Sequence, residues 1–316
     1  MTSLSLGLDV GGSAVKWVLL TADREVVDSG SLPTPSTGPD DVVTALGQLV
    51  CGPGADAEAV GLGVPAHVDR TTGTVKLLPN IPGRWTDFPL GRRLGELTGR
   101  PVRVLNDARA FGYAELHAGA GRGNRTGVFI TVGTGIGGAV ALEGQILHSD
   151  NDAAGELGHA MVEPEGLPCG CGGAGCLETV ASAPALVAAA ARGVLLGHSP
   201  ALQRATGGSL DGLTPAMVTE AAAAGDEFCL RLLARAGRAM GLAVGNLCAI
   251  LTVDMVVIGG GASGAIDQLM PHVQKELDKR ASLVPGIHVR RAQLGATAGA
   301  VGAALWAMDN TSTDER

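Results

Sequence analysis

Three thiols and an imidazole stand close together in the chain: His159, Cys169, Cys171 and Cys176. Thiolate and imidazole are donors that suit Zn²⁺, and a closed Cys₃His shell is structural, with no open position for chemistry. The Cys-x-Cys-x₄-Cys spacing is tighter than that of common zinc fingers, and Gly170, Gly172, Gly173 and Gly175 let the backbone bend around one ion. A metal does not need the two carboxylates on the same stretch, Glu156 just before the histidine and Glu178 just after the last cysteine. They point to a polar ligand held by a metal-braced loop. A disulfide knot is the bland alternative, but no leader-like segment precedes the first strand and Cys51, Cys229 and Cys248 are scattered, as in a reducing compartment. A redox centre would need a different spacing.

Phosphate chemistry is suggested elsewhere. Gly133-Thr134-Gly135-Ile136-Gly137-Gly138 follows a strand and matches the dinucleotide fingerprint, yet another strand and a hairpin turn come next instead of a helix. What survives is a corner whose backbone N–H groups can cradle phosphate, with the Thr134 hydroxyl beside Gly135. Gly11-Gly12-Ser13 makes a similar corner, with Asp9 placed to hold Mg²⁺ through water and Lys16 nearby. Gly259-Gly260-Gly261 ends a third buried strand. Each corner alone could be an ordinary tight turn; together they favour a nucleotide. Asn106-Asp107 also closes a strand, where ligand groups collect in open α/β sheets. There Asp107 is a candidate general base for a hydroxyl and Asn106 either a hydrogen-bond anchor or a plain helix cap. Glu156 and Glu178 have bland readings too, as carboxylates at a helix start or on the surface.

The elements that must hold these groups form a repeat. Leu4 to Val10, Val15 to Leu20 and Val26 to Leu32 read as strands around the first corner, with a helix over Asp40 to Leu49. Gly127 to Val132, Ala139 to Leu142 and Gln145 to Leu147 repeat the strand–corner–strand–turn–strand unit roughly 120 residues later. Ala59 to Val64, Pro101 to Leu105 and Asp254 to Ile258 read as buried strands, and Ile287 to Arg291 as an edge strand. Ala181 to about Ala249 is mostly Ala/Leu-rich helix.

With 316 residues, 46% of them apolar, the chain can build one large or two medium domains. A net charge of −8 without Lys/Arg clusters argues against nucleic acid, and no apolar run reaches the length of a membrane span. A cytoplasmic globular protein is expected.

Taken together, these segments resemble the ROK family (repressors, open reading frames and kinases), and within it the bacterial glucokinases. Asp9-Val10-Gly11-Gly12-Ser13 is similar to the family's Asp-x-Gly-Gly-Thr phosphate motif. Asn80-Ile81-Pro82-Gly83-Arg84-Trp85 is similar to its Asn-Leu/Ile-x-x-Trp segment, Asn106-Asp107-Ala108 to its catalytic strand end, and Gly155 to Glu178 to its zinc and sugar signature. The resemblance implies an α/β protein of the actin-like ATPase (ribonuclease H-like) fold, two α/β domains with a ligand cleft between them. It puts 1–106 plus about 296–316 in a small domain and 107–295 in a larger one carrying zinc. It implies an ATP-dependent glucokinase in which Asp107 takes the proton of the sugar 6-hydroxyl. Asn80, Asn106, Glu156, His159 and Glu178 bind the other hydroxyls, and Mg²⁺ accompanies ATP. A homodimer or homotetramer is implied as well.

Three positions depart from the family pattern. Ser13 replaces Thr, Arg109 stands where Asn is usual and is expected near the rim of the sugar or nucleotide site, and Gly295-Ala296-Thr297-Ala298-Gly299 lacks the usual Asn-Asp-Ala. They keep an aminosugar kinase (N-acetylmannosamine, glucosamine or kanosamine) in view. Polyphosphate as donor fits less well, since the polyphosphate-using relatives lack the cysteine cluster. A sugar-sensing regulator of the same family would carry a DNA-binding segment ahead of Asp9, and an acidic chain with Asp107 intact argues against it.

Overall fold

The computed structural model describes residues 3–78, 81–149, 152–261, 263–283 and 285–310. The chain divides into two compact units: Met1–Gly123 with Ala139–Gly155 and Gln293–Arg316, and Asn124–Gly138 with Glu156–Ala292.

The first unit is built on β1 (Leu4–Val10), β2 (Ala14–Thr21) and β3 (Val26–Pro33), a meander, followed by α1 (Pro39–Cys51) and β4 (Ala57–Val64). A small hairpin of β5 (His67–Asp69) and β6 (Thr74–Leu77), then α2 (Leu90–Thr98), lead to β7 (Val102–Asn106) and α3 (Asp107–Ala118). The sheet runs β3-β2-β1-β4-β7, antiparallel on the meander side and parallel from β1 through β4 to β7. Alternation along the strands sends Leu6, Leu8, Val60 and Leu62 into one core with Val42, Leu46 and Val50 of α1 and Leu90 and Leu94 of α2. The opposite face bears small residues such as Gly7 and Gly61 because a helix lies almost on the backbone there.

The second unit begins with β8 (Gly127–Val132), and its edge continues through β9 (Ile136–Leu142) and β10 (Gln145–Ile146); the division between units falls within β9, after Gly138. After the cysteine-bearing loop come α4 (Glu178–Ala181), α5 (Ala183–Leu195), α6 (Pro200–Thr206), α7 (Pro215–Ala223) and α8 (Glu227–Cys248). β11 (Met255–Gly259), α9 (Ser263–Asp278) and β12 (His288–Arg291) complete it. The sheet order is β10-β9-β8-β11-β12, with β8, β11 and β12 parallel. Val128, Ile130, Val256 and Ile258 pack with Leu233, Met240 and Val244 of α8 and Leu269 and Val273 of α9.

Finally α10 (Ala298–Asn310) returns to the first unit. A Cβ on its Gly302 would lie 1.8 Å from the Ala110 carbonyl oxygen of α3, and one on Gly7 of β1 would lie 1.9 Å from the Ala300 carbonyl oxygen, so only glycine permits this packing.

The two sheets share one order, an antiparallel meander followed by two parallel strands, so the repeat expected from the glycine corners is present and the α/β fold is the actin-like one. The second corner is shorter than expected. β9 already starts at Ile136, which leaves Gly133–Gly135 as the turn and puts Gly137 and Gly138 in the strand. The structure also contains β5, β6, α2 and α3, which the sequence pattern does not mark. Among the described residues no single helix is long and apolar enough to cross a membrane.

Candidate active site

In the first unit, β1 and β2 meet in a tight corner. Gly11 N–H donates to the Ala14 carbonyl at 3.0 Å, and the Thr34 hydroxyl donates to the Gly11 carbonyl at 2.6 Å. Gly12 and Ser13 stay exposed, as backbone and hydroxyl groups must if they are to meet a phosphate. Asp9 and Lys16 are partners in the antiparallel register, which puts both side chains on one face of the sheet. The start of α10 comes so near that a Cβ on Gly299 would sit 2.6 Å from the Asp9 carboxylate carbon. That accounts for glycine at the end of the divergent Gly295–Gly299 segment. Burial, reinforced by the negative charge of Asp107, pushes the Asp9 carboxyl up to about 7, and Lys16 opposes the rise. Asp9, Lys16 and Asp107 are therefore one electrostatic group.

Asn106 ends β7 and caps α3. Its side-chain oxygen accepts from the N–H groups of Ala108 at 2.9 Å and Arg109 at 3.2 Å, and its amide nitrogen donates to the Ala66 carbonyl at 3.2 Å. The capping reading thus holds, and one of the two amide N–H groups is committed to Ala66. Half-buried Asp107 is the first helical residue, its Oδ1 accepting from Ala108 N–H at 2.8 Å. Arg109 corrects an expectation: it is not at a rim but is 1% exposed, donating to Asn106 Oδ1 and to the Asp152 carbonyl, each at 2.9 Å. Its long side chain turns back under the helix start instead of reaching outward. Asp152 is a partner that sequence reasoning missed, because the pairing spans 43 positions and no local pattern announces it.

In the second unit the cysteine loop folds into a knuckle. Cys169 N–H donates to the Gly173 carbonyl at 2.8 Å and Gly172 N–H to the Cys169 carbonyl at 3.0 Å, while isolated bridges pair Met161 with Cys176 and Pro168 with Ala174. The donor atoms of His159, Cys169, Cys171 and Cys176 all lie within 4.8 Å of one another. Cys171 Sγ and Cys176 Sγ are 3.7 Å apart, and Cys169 Sγ is 3.5 Å from His159 Nδ1. Zn–S bonds of ~2.3 Å in a tetrahedron require sulfur separations of ~3.8 Å, so these four residues fit zinc. Burial and the neighbouring thiols push the Cys176 thiol up to about 12, whereas the Gly173 N–H, chief among several donors, lowers that of exposed Cys171.

Glu178 opens α4, so its helix-start reading is correct, and it has a second attachment. Its Oε2 accepts from Ile136 N–H at 2.9 Å, and a Cβ on Gly135 would come within 2.4 Å of that oxygen. The glycine corner and the residue that follows the knuckle are thereby fastened together. Glu156 precedes the short 3₁₀ turn Leu157–His159 that presents the imidazole. Thr134 is exposed at the tip of the corner. Gly259 ends β11, and Gly260, at φ 107, lies against the backbone of Val132 before α9 begins. Asn80, expected to touch sugar, lies outside the described residues.

Residues 5–310 match the ROK family model, and the chain belongs to the ROK family. It is 38% identical over 309 residues to the glucokinase of Halalkalibacterium halodurans, covering 94% of this chain and 92% of that one. It is 33% identical to the N-acetylmannosamine kinase of Citrobacter koseri, covering 96% and 98%. The solved ROK family glucokinase of Streptomyces griseus, in complex with glucose and AMPPNP, superimposes with a TM-score of 0.84 at 31% identity, covering 98% of this chain and all of that one.

Proposed function

We propose that the protein is an ATP-dependent hexose kinase that phosphorylates the 6-hydroxyl of glucose. The observation that carries this is the Asp9–Lys16–Asp107 group: two carboxylates and an ammonium gathered beside an exposed glycine corner. The relatives' names support it, since a glucokinase of full-length similarity has been solved with glucose and an ATP analogue.

Phosphoryl transfer depends mainly on positioning and charge neutralisation, and these residues can supply both. Asp107 accepts the proton of the attacking hydroxyl. The N–H groups at Gly11–Ser13, Thr134–Gly135 and Gly259–Gly261 cradle phosphates, with the Ser13 and Thr134 hydroxyls as added donors. Lys16 balances charge beside Asp9. Asp9 carries carboxylate oxygens that suit Mg²⁺, and its raised pKa marks a site where a cation would stabilise the ionised form. When bound, Mg²⁺ neutralises developing charge on the transferred group.

Asn106, Glu156, His159 and Glu178 hold the remaining sugar hydroxyls, joined by Asn80. Zinc on the knuckle fixes the loop that carries His159, whose Nδ1 faces the thiols and leaves Nε2 for a hydroxyl. A homodimeric or homotetrameric assembly and a cytoplasmic setting, where free thiols can hold zinc, complete the proposal.

Aminosugar phosphorylation is the second reading, favoured by the similarity to an N-acetylmannosamine kinase. The burial of Arg109 removes one reason for it, because that side chain is turned away from a rim. An ATP-consumption assay over glucose, mannose, glucosamine, N-acetylmannosamine and kanosamine decides: the highest kcat/KM is expected on glucose. A higher value on an aminosugar would replace the first reading with the second, and no turnover on any would overturn both.

A further inference from the structure

Arg109 and Asp152 make an unusual pair of choices for the inside of a protein. Arg109 is 1% exposed and Asp152 2%. Removing such charges from water costs several kcal/mol each unless partners compensate. Asp152 also has φ 54, a left-handed backbone that Asp tolerates better than most residues and Gly better still. Its Oδ2 accepts from Val68 N–H at 3.2 Å, while Oδ1 is buried with no hydrogen-bond partner among the described residues. Asparagine could satisfy Val68 equally well, and glycine would relieve the backbone. What neither could provide is a negative charge for Arg109, whose field is what most strongly offsets the cost of burying the Asp152 carboxylate.

The bonds form a closed circuit. Ala66 carbonyl accepts from Asn106 Nδ2, Asn106 Oδ1 accepts from Arg109 Nη1, the Asp152 carbonyl accepts from Arg109 Nη2, and Asp152 Oδ2 accepts from Val68 N–H. Two residues of backbone, from Ala66 to Val68, complete the ring. The ring thus ties three segments of the first unit together: the turn after β4, the helix start that carries Asp107, and the loop before Glu156. Asn106 Oδ1 already caps α3 by accepting from two backbone N–H groups, so the helix does not need the guanidinium in order to start.

We propose that Arg109 and Asp152 are positioning residues for phosphoryl transfer, a buried brace that fixes the Asn106 side chain and thereby the direction in which the adjoining Asp107 carboxylate meets the acceptor hydroxyl. The proposal rests on Asp107 being the base. A group displaced by about 1 Å can lose about a hundredfold in rate, so the brace acts on kcat more than on nucleotide affinity.

The test compares Arg109→Lys, Arg109→Met, Asp152→Asn and the double variant Arg109→Met/Asp152→Asn in steady state, varying glucose and ATP separately, alongside thermal melting. Arg109→Lys keeps a cation but cannot span Asn106 and the Asp152 carbonyl. It is expected to lose about ten- to a hundredfold in kcat, with the KM for ATP within about twofold and melting close to the parent. The double variant, with no lone buried charge, is expected to regain the melting temperature lost by Arg109→Met or Asp152→Asn but not the kcat. Recovery of kcat together with melting in the double variant would overturn the proposal, since the pair would then be structural only. So would parental kcat in Arg109→Lys. Asp107→Asn in the same assay separates the two levels. If it turns over normally, the base assignment fails; if it is dead while the brace variants run at the parental kcat, the brace alone fails.

Discussion

Ile136 N–H donates to Glu178 Oε2 at 2.9 Å, so a carboxylate expected to bind sugar also secures the turn expected to bind phosphate. The two demands can be separated by substitution. Glu178→Gln keeps an oxygen for Ile136 and should melt near the parent while losing sugar affinity. Glu178→Ala leaves a donor on Ile136, which is 3% exposed, without its acceptor and should lose about 1–3 kcal/mol of stability as well. Equal melting of the two variants would show that this bond does not hold the corner.

Replacing Asp107 by Asn removes the base but keeps the volume and a helix-start acceptor. Turnover should fall by about 10²–10⁴-fold. Glucose binding, measured by calorimetry, should change little. Near-normal kcat would exclude Asp107 as the base.

The Asp9 carboxyl has a folded-state pKa of about 7 against an ordinary 3.8, so the folded protein binds this proton more tightly than the unfolded chain does. Stability in the absence of nucleotide should therefore fall as pH rises from about 4 to about 7 and then level off, as far as this group contributes. The difference in melting temperature between the parent and Asp9→Asn isolates that contribution. A difference independent of pH would contradict it, and Mg-ATP should shrink the slope by favouring the ionised carboxylate.

Removing zinc should release the knuckle. The Cys176 thiol, pushed up to about 12 by burial, stays protonated without metal, so zinc binding at pH 7 should liberate protons that a pH indicator detects. Chelated protein is expected to melt lower and bind glucose more weakly. Unchanged melting and sugar affinity after metal removal, verified by elemental analysis, would refute a structural role.

Gly302→Ala tests the contact of α10 with α3. Its methyl would meet the Ala110 carbonyl oxygen at 1.8 Å, and the helix must shift to accept it. A loss of about 1–3 kcal/mol or more is expected from overpacking, read by denaturant unfolding. A neutral effect would mean that this packing yields easily.

Much of the framework was legible because its signals are local. β1 and β8 have the bounds their apolar runs suggest, and the four residues that could hold a metal lie close in sequence and are brought together. The second corner is shorter than its glycines suggest because Gly137 and Gly138, which resemble turn residues, lie inside β9. α3 leaves no local signal for a different reason. Its residues from Ala108 to Leu116 are all buried, so no polar face gives it a helical period. Arg109 stands out by its type but not by its place: an arginine inside a buried helix is held by Asn106 and by Asp152, and the second of these lies 43 positions away.

The return of α10 to β1 and β4 has a consequence for synthesis. The sheet that begins with Leu4 receives its covering helix only when residues 298–310 have left the ribosome. Every residue of the second unit has by then been made, so that unit can complete its core first while the first waits with β1 and part of β4 uncovered beside α3. A chain halted before Ala298 would leave Gly7 and Gly61 without the helix backbone that lies against them.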